Sequence, residues 1–206
     1  MKLHSGLFTL IVLFISITIF GQEGQTRFGF KAGFNLSYIA SGQFNQGGIP
    51  RVGILFGLVS EIPITLEILF APELLYSHQG NVRRFNEVGS DSTTRTQLNY
   101  VNVPLLFKYY INDNVSIDLG PYTGLNIIAN SVIRSGGGEP SSAKIVDGIN
   151  FFDAGIAGSI GYMLSQDFFI SARYSRGFTS VFDNTADSLG LRAKNSVFNL
   201  SFGLYL

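Results

Sequence analysis

From Arg27 to Ile39 the chain alternates apolar and polar residues with a period of two. Phe28, Phe30, Ala32, Phe34, Leu36 and Tyr38 fall on one face, and Arg27, Gly29, Lys31, Gly33, Asn35 and Ser37 on the other. Successive side chains of a strand point to opposite faces, so this segment predicts a β-strand, not a helix. It is roughly twice as long as a typical soluble strand. Seven more segments read the same way, near 51–62, 66–78, 97–110, 115–129, 150–163, 168–178 and 195–206. In the third segment, Leu66, Ile68, Phe70, Leu74 and Tyr76 oppose Glu67, Ala71, Glu73 and Ser77. In the fifth, Val115, Ile117, Leu119, Leu125 and Ile127 oppose Ser116, Asp118, Gly120, Gly124 and Asn126. The second is weaker, because Leu55 and Val59 sit among the glycines of its polar face. The fourth is apolar on both faces near its middle, which leaves its phase open.

The connections alternate in length. Residues 62–65, 111–114 and 164–167 are tight turns; 40–50, 79–96, 130–149 and 179–194 are longer polar stretches. Short turns on one side and long loops on the other describe a meander. With an even strand count, that is the pattern of outer-membrane barrels, whose short turns face the periplasm. The expected fold is all-β: an eight-stranded antiparallel up-and-down transmembrane β-barrel.

A soluble barrel alternates too, so the chemistry of the polar face has to decide. Against water that face would be studded with Lys and Glu. Here it is mostly Gly, Ser and Asn with about one charge per strand, which suits a narrow lumen. The apolar face then meets lipid, where a closed barrel satisfies every backbone group. Aromatics gather at both strand ends: Tyr109, Tyr110, Tyr162, Phe168 and Tyr205 near the short turns, Tyr38, Tyr76, Tyr100, Phe151 and Phe178 near the long loops. They are expected to form two interfacial girdles.

The N-terminus fits this location. Lys2 precedes a 14-residue uncharged apolar run, Leu7–Phe20, and Gly21 follows. This is the pattern of a secretory signal peptide over residues 1–21, too short to span a bilayer as a helix. The barrel domain is then expected over 22–206. Composition narrows the rest. The chain has 206 residues, 14 Lys+Arg against 14 Asp+Glu, 24 Gly, 19 Phe, 9 Tyr and no Cys. Zero formal net charge argues against nucleic acid as a partner. The absence of cysteine removes disulfides, thiolate metal sites and a lipidated cysteine.

Three segments carry a resemblance to a known family: Pro72–Ser77 (PELLYS), Tyr100–Tyr110 (YVNVPLLFKYY) and Arg173–Phe178 (RYSRGF). With the Gly29–Gly33 start and the strand at the extreme C-terminus, the chain resembles the small outer-membrane β-barrel proteins of Bacteroidetes, the PorT or porin-like family. The resemblance implies an outer-membrane location and a barrel, and links its founding member to type IX secretion. It does not imply one activity. Two positions depart from the family pattern: Asn102 stands where relatives often carry an acidic residue, and the chain ends in Leu206 where assembly signals usually end in Phe.

Little in the sequence suggests catalysis. His78 is the one histidine after the signal segment, and its neighbour Ser77 falls on the opposite face of the same strand. No catalytic residue, cofactor or metal site is expected. Gly136–Gly138 lacks the Lys-Ser/Thr of a phosphate loop. Asp91, Asp147, Asp153, Asp183 and Asp187 lack calcium-loop spacing. The candidate site residues form a structural charge network in the lumen. Glu73 and Arg173 fall on inward faces of strands opposite each other in an eight-stranded ring and are expected to pair across it, with Asp153 joining Arg173. Lys31, Glu67, Lys108 and Asp118 are candidates for a second cluster nearer the periplasm. Small lumenal residues such as Gly120 are expected to accept enlargement to Ser. The expected partners are outer-membrane lipid and lipopolysaccharide (Arg83-Arg84 offers a basic spot), the barrel-assembly machinery during insertion, and an envelope protein. The functional expectation is a non-enzymatic structural or surface-interaction protein. Alternatives are an accessory of a secretion or transport machine, a small channel, or a membrane enzyme.

Overall fold

A computed structural model describes residues 25–41, 48–87, 90–135, 141–144, 149–181 and 193–206. The expected signal peptide lies outside these residues, as do Gly136–Gly138, Asp147, Asp183 and Asp187. Among the described residues there are nine strands: β1 (Arg27–Ser41), β2 (Gly48–Pro63), β3 (Ile68–Glu87), β4 (Ser90–Tyr110), β5 (Val115–Ser135), β6 (Ser141–Lys144), β7 (Phe152–Met163), β8 (Phe168–Gly177) and β9 (Ala193–Tyr205). All pairings are antiparallel. The ring runs β4-β3-β2-β1-β9-β8-β7-β5 and closes through β4–β5. The eight long strands therefore make the expected closed barrel.

The ninth strand and the reach of β3–β5 differ from expectation. Residues 79–96 and 130–149 read as polar loops. Instead β3 and β4 stay paired out to Glu87↔Ser90, β5 runs on to Ser135, and β6 pairs with β5 over Ile133↔Ser141 to Asn130↔Lys144. Loss of apolar alternation alone predicts the end of a strand. Beyond the membrane, however, a sheet needs no lipid-facing residues, and the Thr-rich run Ser92–Thr96 keeps a strand's β-branched preference.

Alternation sets the two faces. Phe30, Phe34, Leu58, Phe107, Leu119, Ile160 and Phe202 are exposed on the outer wall, while Lys31, Asn35, Glu73, Asp118, Arg173 and Ser201 are buried within. The ambiguous β4 places Tyr100, Pro104, Leu106 and Lys108 inward. Leu106 is fully buried beside Ala71, Tyr122 and Ala157, so the lumen itself holds apolar side chains. Val59, Met163, Phe169 and Tyr205 form a second inner cluster. Near the end opposite the short turns, Ile39, Leu98, Tyr100, Val181 and Ala193 form a third. The girdle expectation needs a correction. Tyr109, Tyr162 and Phe168 are exposed, but Tyr100 and Tyr205 are buried and Tyr110 is half-buried. Strand parity turns those three into the lumen.

Gly120 also differs. A Cβ there would lie 2.1 Å from the carbonyl oxygen of Leu105 on β4 and 2.9 Å from the Cα of Leu106. The strands pack backbone against backbone at this point, so any side chain forces the wall apart.

Candidate functional site

The lumen is stacked in polar layers. At the short-turn end, Arg27 lies 3.7 Å from Glu61 and 3.8 Å from Asp167, with its guanidinium 4.3 Å above the Tyr205 ring. An open depression of about 810 Å³ lies at this mouth, lined in part by Arg27, Glu61, Tyr110 and Asp167. Its floor is the next layer. Glu61 Oε1 accepts from Lys108 Nζ at 2.7 Å, from the Tyr205 hydroxyl at 2.7 Å and from the Tyr110 hydroxyl at 3.0 Å. Asp118 accepts from Ser159 at 2.9 Å and Ser116 at 3.3 Å.

The central layer crosses the barrel. Arg173 on β8 donates through both terminal nitrogens to the two carboxylate oxygens of Glu73 on β3, each at 2.7 Å. Lys31 on β1 donates to the same carboxylate at 3.3 Å. β3 and β8 are four places apart in the ring of eight, and so face each other. A planar guanidinium meeting a carboxylate edge-on is the strongest geometry such a pair can take. All three groups are buried. Arg173 Nε has no partner among the described residues. Above lies an amide and hydroxyl layer, where Asn35 donates to Ser77 at 2.7 Å and accepts from Asn199. Higher still, Asp153 accepts from Tyr122 and Asn195, each at 3.1 Å, and from Thr179.

Little space remains between these layers. One cavity, between the Glu61 and Glu73 layers, has about 10 Å³, and another beside Arg173 about 30 Å³. Each is on the order of the space one water needs.

The signature of the outer membrane protein beta-barrel domain family matches residues 20–183. The chain belongs to that family. Membership points to the outer membrane as its location. No curated protein sequence matches the chain. Among solved structures, Neisserial surface protein A is similar at 12% identity and a TM-score of 0.51, over 88% of this chain and 99% of that one. Ail of Yersinia pestis is similar at 16% identity and a TM-score of 0.45, over 89% and 100%. OprG of Pseudomonas aeruginosa is similar at 17% identity and a TM-score of 0.41, over 87% and 95%. The first of these likenesses supports the fold, and at such identity the fold alone.

Within this outer-membrane barrel, Glu73 and Arg173 meet, and Lys31 joins them rather than the lower cluster. Lys108 and Asp118 stand opposite each other on β4 and β5, but the ion pair of Lys108 is with Glu61. Two expectations are corrected. Glu67 is exposed in the turn after β2. There the backbone N–H groups of Glu67 and Ile68 donate to Thr65 Oγ1 at 3.3 and 3.0 Å, so the strand parity that put Glu67 inside does not reach it. Asp153 does not join Arg173, because the β7/β8 register pairs Ser159 with Arg173 and leaves Asp153 six residues further out. Glu61 was missed, although it shares inward parity with Leu55 and Val59.

Ser77 and His78 diverge as expected. Ser77 is buried and accepts from Asn35 and Gln79, while His78 stands on the outer face, 3.2 Å from the Tyr76 hydroxyl. Among the described residues no group of three His, Asp or Glu is placed to hold a metal.

Proposed function

We propose that this protein is a non-enzymatic component of the outer membrane whose lumen is closed by its own side chains, and which acts through its external surface as a structural or surface-interaction protein. One observation carries the reading. The Glu73–Arg173 fork, with Lys31 beside it, spans the barrel between cavities of only about 10 and 30 Å³. A permeant ion would have to break a doubly bonded buried pair or shed its water. The divergence of Ser77 and His78 supports the absence of a hydrolase. The finer placement, among the PorT-like proteins of Bacteroidetes with a signal peptide removed near Gly21 and insertion by the barrel-assembly machinery, is part of the same proposal.

Reconstitution into planar bilayers tests it. The native protein should give no steady channel, and large, stable conductance would overturn the closed lumen. Co-purification from native membranes with a larger envelope assembly would instead favour an accessory role in secretion.

A further inference from the structure

Beyond Leu125, the last β5 residue paired with β7, the strands β3, β4 and β5 continue outward together, and β6 extends their edge. The register is unbroken from Leu75↔Asn102 to Glu87↔Ser90, and from Asn99↔Ile128 to Ser92↔Ser135. The lipid-facing side can therefore be followed row by row out of the membrane. Tyr76, Val101 and Leu125 form one row. In the next, His78 and Asn99 both bond the Tyr76 hydroxyl, an amphipathic row suited to the interface. Amides come next: Gln97 and Asn130 stand side by side, with Lys144 of β6 opposite Asn130. One row on, Arg95 stands between Val82 and Val132. In the last, Thr93 stands between Arg84 and Arg134.

Among the side chains described in these three outer rows, two are arginines, Arg95 and Arg134, and none is a carboxylate; they stand on adjacent strands one row apart, about 8 Å by strand and residue spacing. Arg95 and Arg134 are exposed. Neither takes part in an ion pair among the described residues.

We propose that this wall binds the phosphate groups of phosphorylated glycolipids in the outer leaflet. The argument is continuity. The same face is apolar at the level of the acyl chains and amphipathic at the interface, so what lies against it further out is the head group of the same lipids. Guanidinium groups spaced across neighbouring strands suit phosphate oxygens, which they bond in pairs. Basic residues just outside a bilayer are drawn to its anionic head groups. A soluble polyanion would have no reason to select the lipid side of the wall. The inference deepens the proposed function and rests on its premise that the external surface is the working part. A conducting barrel that still bound lipid through these arginines would remove the closed lumen and keep the wall.

The test uses the whole barrel, folded in a zwitterionic detergent and titrated with bisphosphoryl lipid A. Binding should weaken as salt is raised. Replacing Arg95→Gln and Arg134→Gln together should weaken it about tenfold, as expected for losing two exposed charge-assisted contacts. Arg95→Lys should retain most of the binding. Lys194→Gln, which removes one charge from β9 outside the wall, should change it by less than about twofold. Heat-dependent gel mobility verifies that each variant is folded. The proposal fails if the double variant binds like the native protein, or if Lys194→Gln loses as much. It also fails if inorganic phosphate or soluble dextran sulfate competes as well as added lipid A, since the ligand would then not be a membrane lipid.

Discussion

Removing Glu73 should destabilise the barrel more than removing Arg173, although the two form one pair. The carboxylate of Glu73 is the shared acceptor of Arg173, through two bonds of 2.7 Å, and of Lys31 at 3.3 Å. Arg173→Ala leaves Glu73 still facing Lys31, and the vacated space adjoins a cavity of about 30 Å³ that water can fill. Breaking a buried pair costs about 3–5 kcal/mol, so Arg173→Ala belongs near the lower end, about 3 kcal/mol. Glu73→Ala strands two buried cations at once and belongs at the upper end, about 5 kcal/mol. The double variant should cost less than the sum, with a coupling of about 2–3 kcal/mol. Replacing all three groups with apolar residues of similar volume should come closer to native stability than either single change, because no uncompensated charge remains. Reversible urea unfolding in liposomes reads all of these. Equal losses for the two single variants would refute the shared-acceptor argument, and a coupling near zero would remove the pair itself.

Leu119→Arg and Phe70→Arg should each cost about 2–4 kcal/mol in the same assay if they lie near the bilayer midplane; a neutral result would place that face away from lipid. Gly120→Ala should also be destabilising, because its Cβ meets the Leu105 carbonyl at 2.1 Å, and native-like stability would show that the wall yields there. Protease added to intact cells should spare the turns at 111–114 and 164–167. Cleavage in either would invert the orientation.

The ring itself was legible because lipid imposes a strict chemical contrast on alternate residues. Where the contrast held, as in β1, β9 and β5 as far as Ile127, parity placed the side chains on their correct faces. It failed in β4, where Leu106 packs inside against Ala71 and Tyr122: a filled lumen accepts apolar residues, so the two faces stop differing. It failed again for Tyr100, Tyr110 and Tyr205, which look like girdle residues from strand-end position alone. The hydroxyls of Tyr110 and Tyr205 bond the buried carboxylate of Glu61 instead. Beyond the membrane the contrast vanishes altogether, and the outer wall of β3–β6 carries the polar pattern of a loop. The basic patch was invisible for that reason. Arg95 and Arg134 are 39 positions apart in sequence, and only the register of paired strands brings them to one face.

The site shows the same division between parity and register. Glu73 and Arg173 could be paired from sequence because two facts suffice: both have inward parity, and their strands are half a ring apart. Asp153 satisfies the parity condition equally well, yet lies six residues too far out along β7. Height in a barrel depends on stagger between neighbouring strands, and stagger is fixed by turn geometry and by features such as the bulge at Asn99/Tyr100 in the β4/β5 ladder. Neither leaves a periodic trace. Each carboxylate then settles with whatever donors its level supplies. At the centre these are two cations, for Glu61 a lysine and two phenols, and for Asp153 a phenol, an amide and a hydroxyl. A bidentate arginine fork fixes direction as well as distance, whereas hydroxyl donors can rotate to follow a displaced acceptor. The central layer is therefore the one that pins the relative height of β3 and β8, and the looser layers at either end adjust to it.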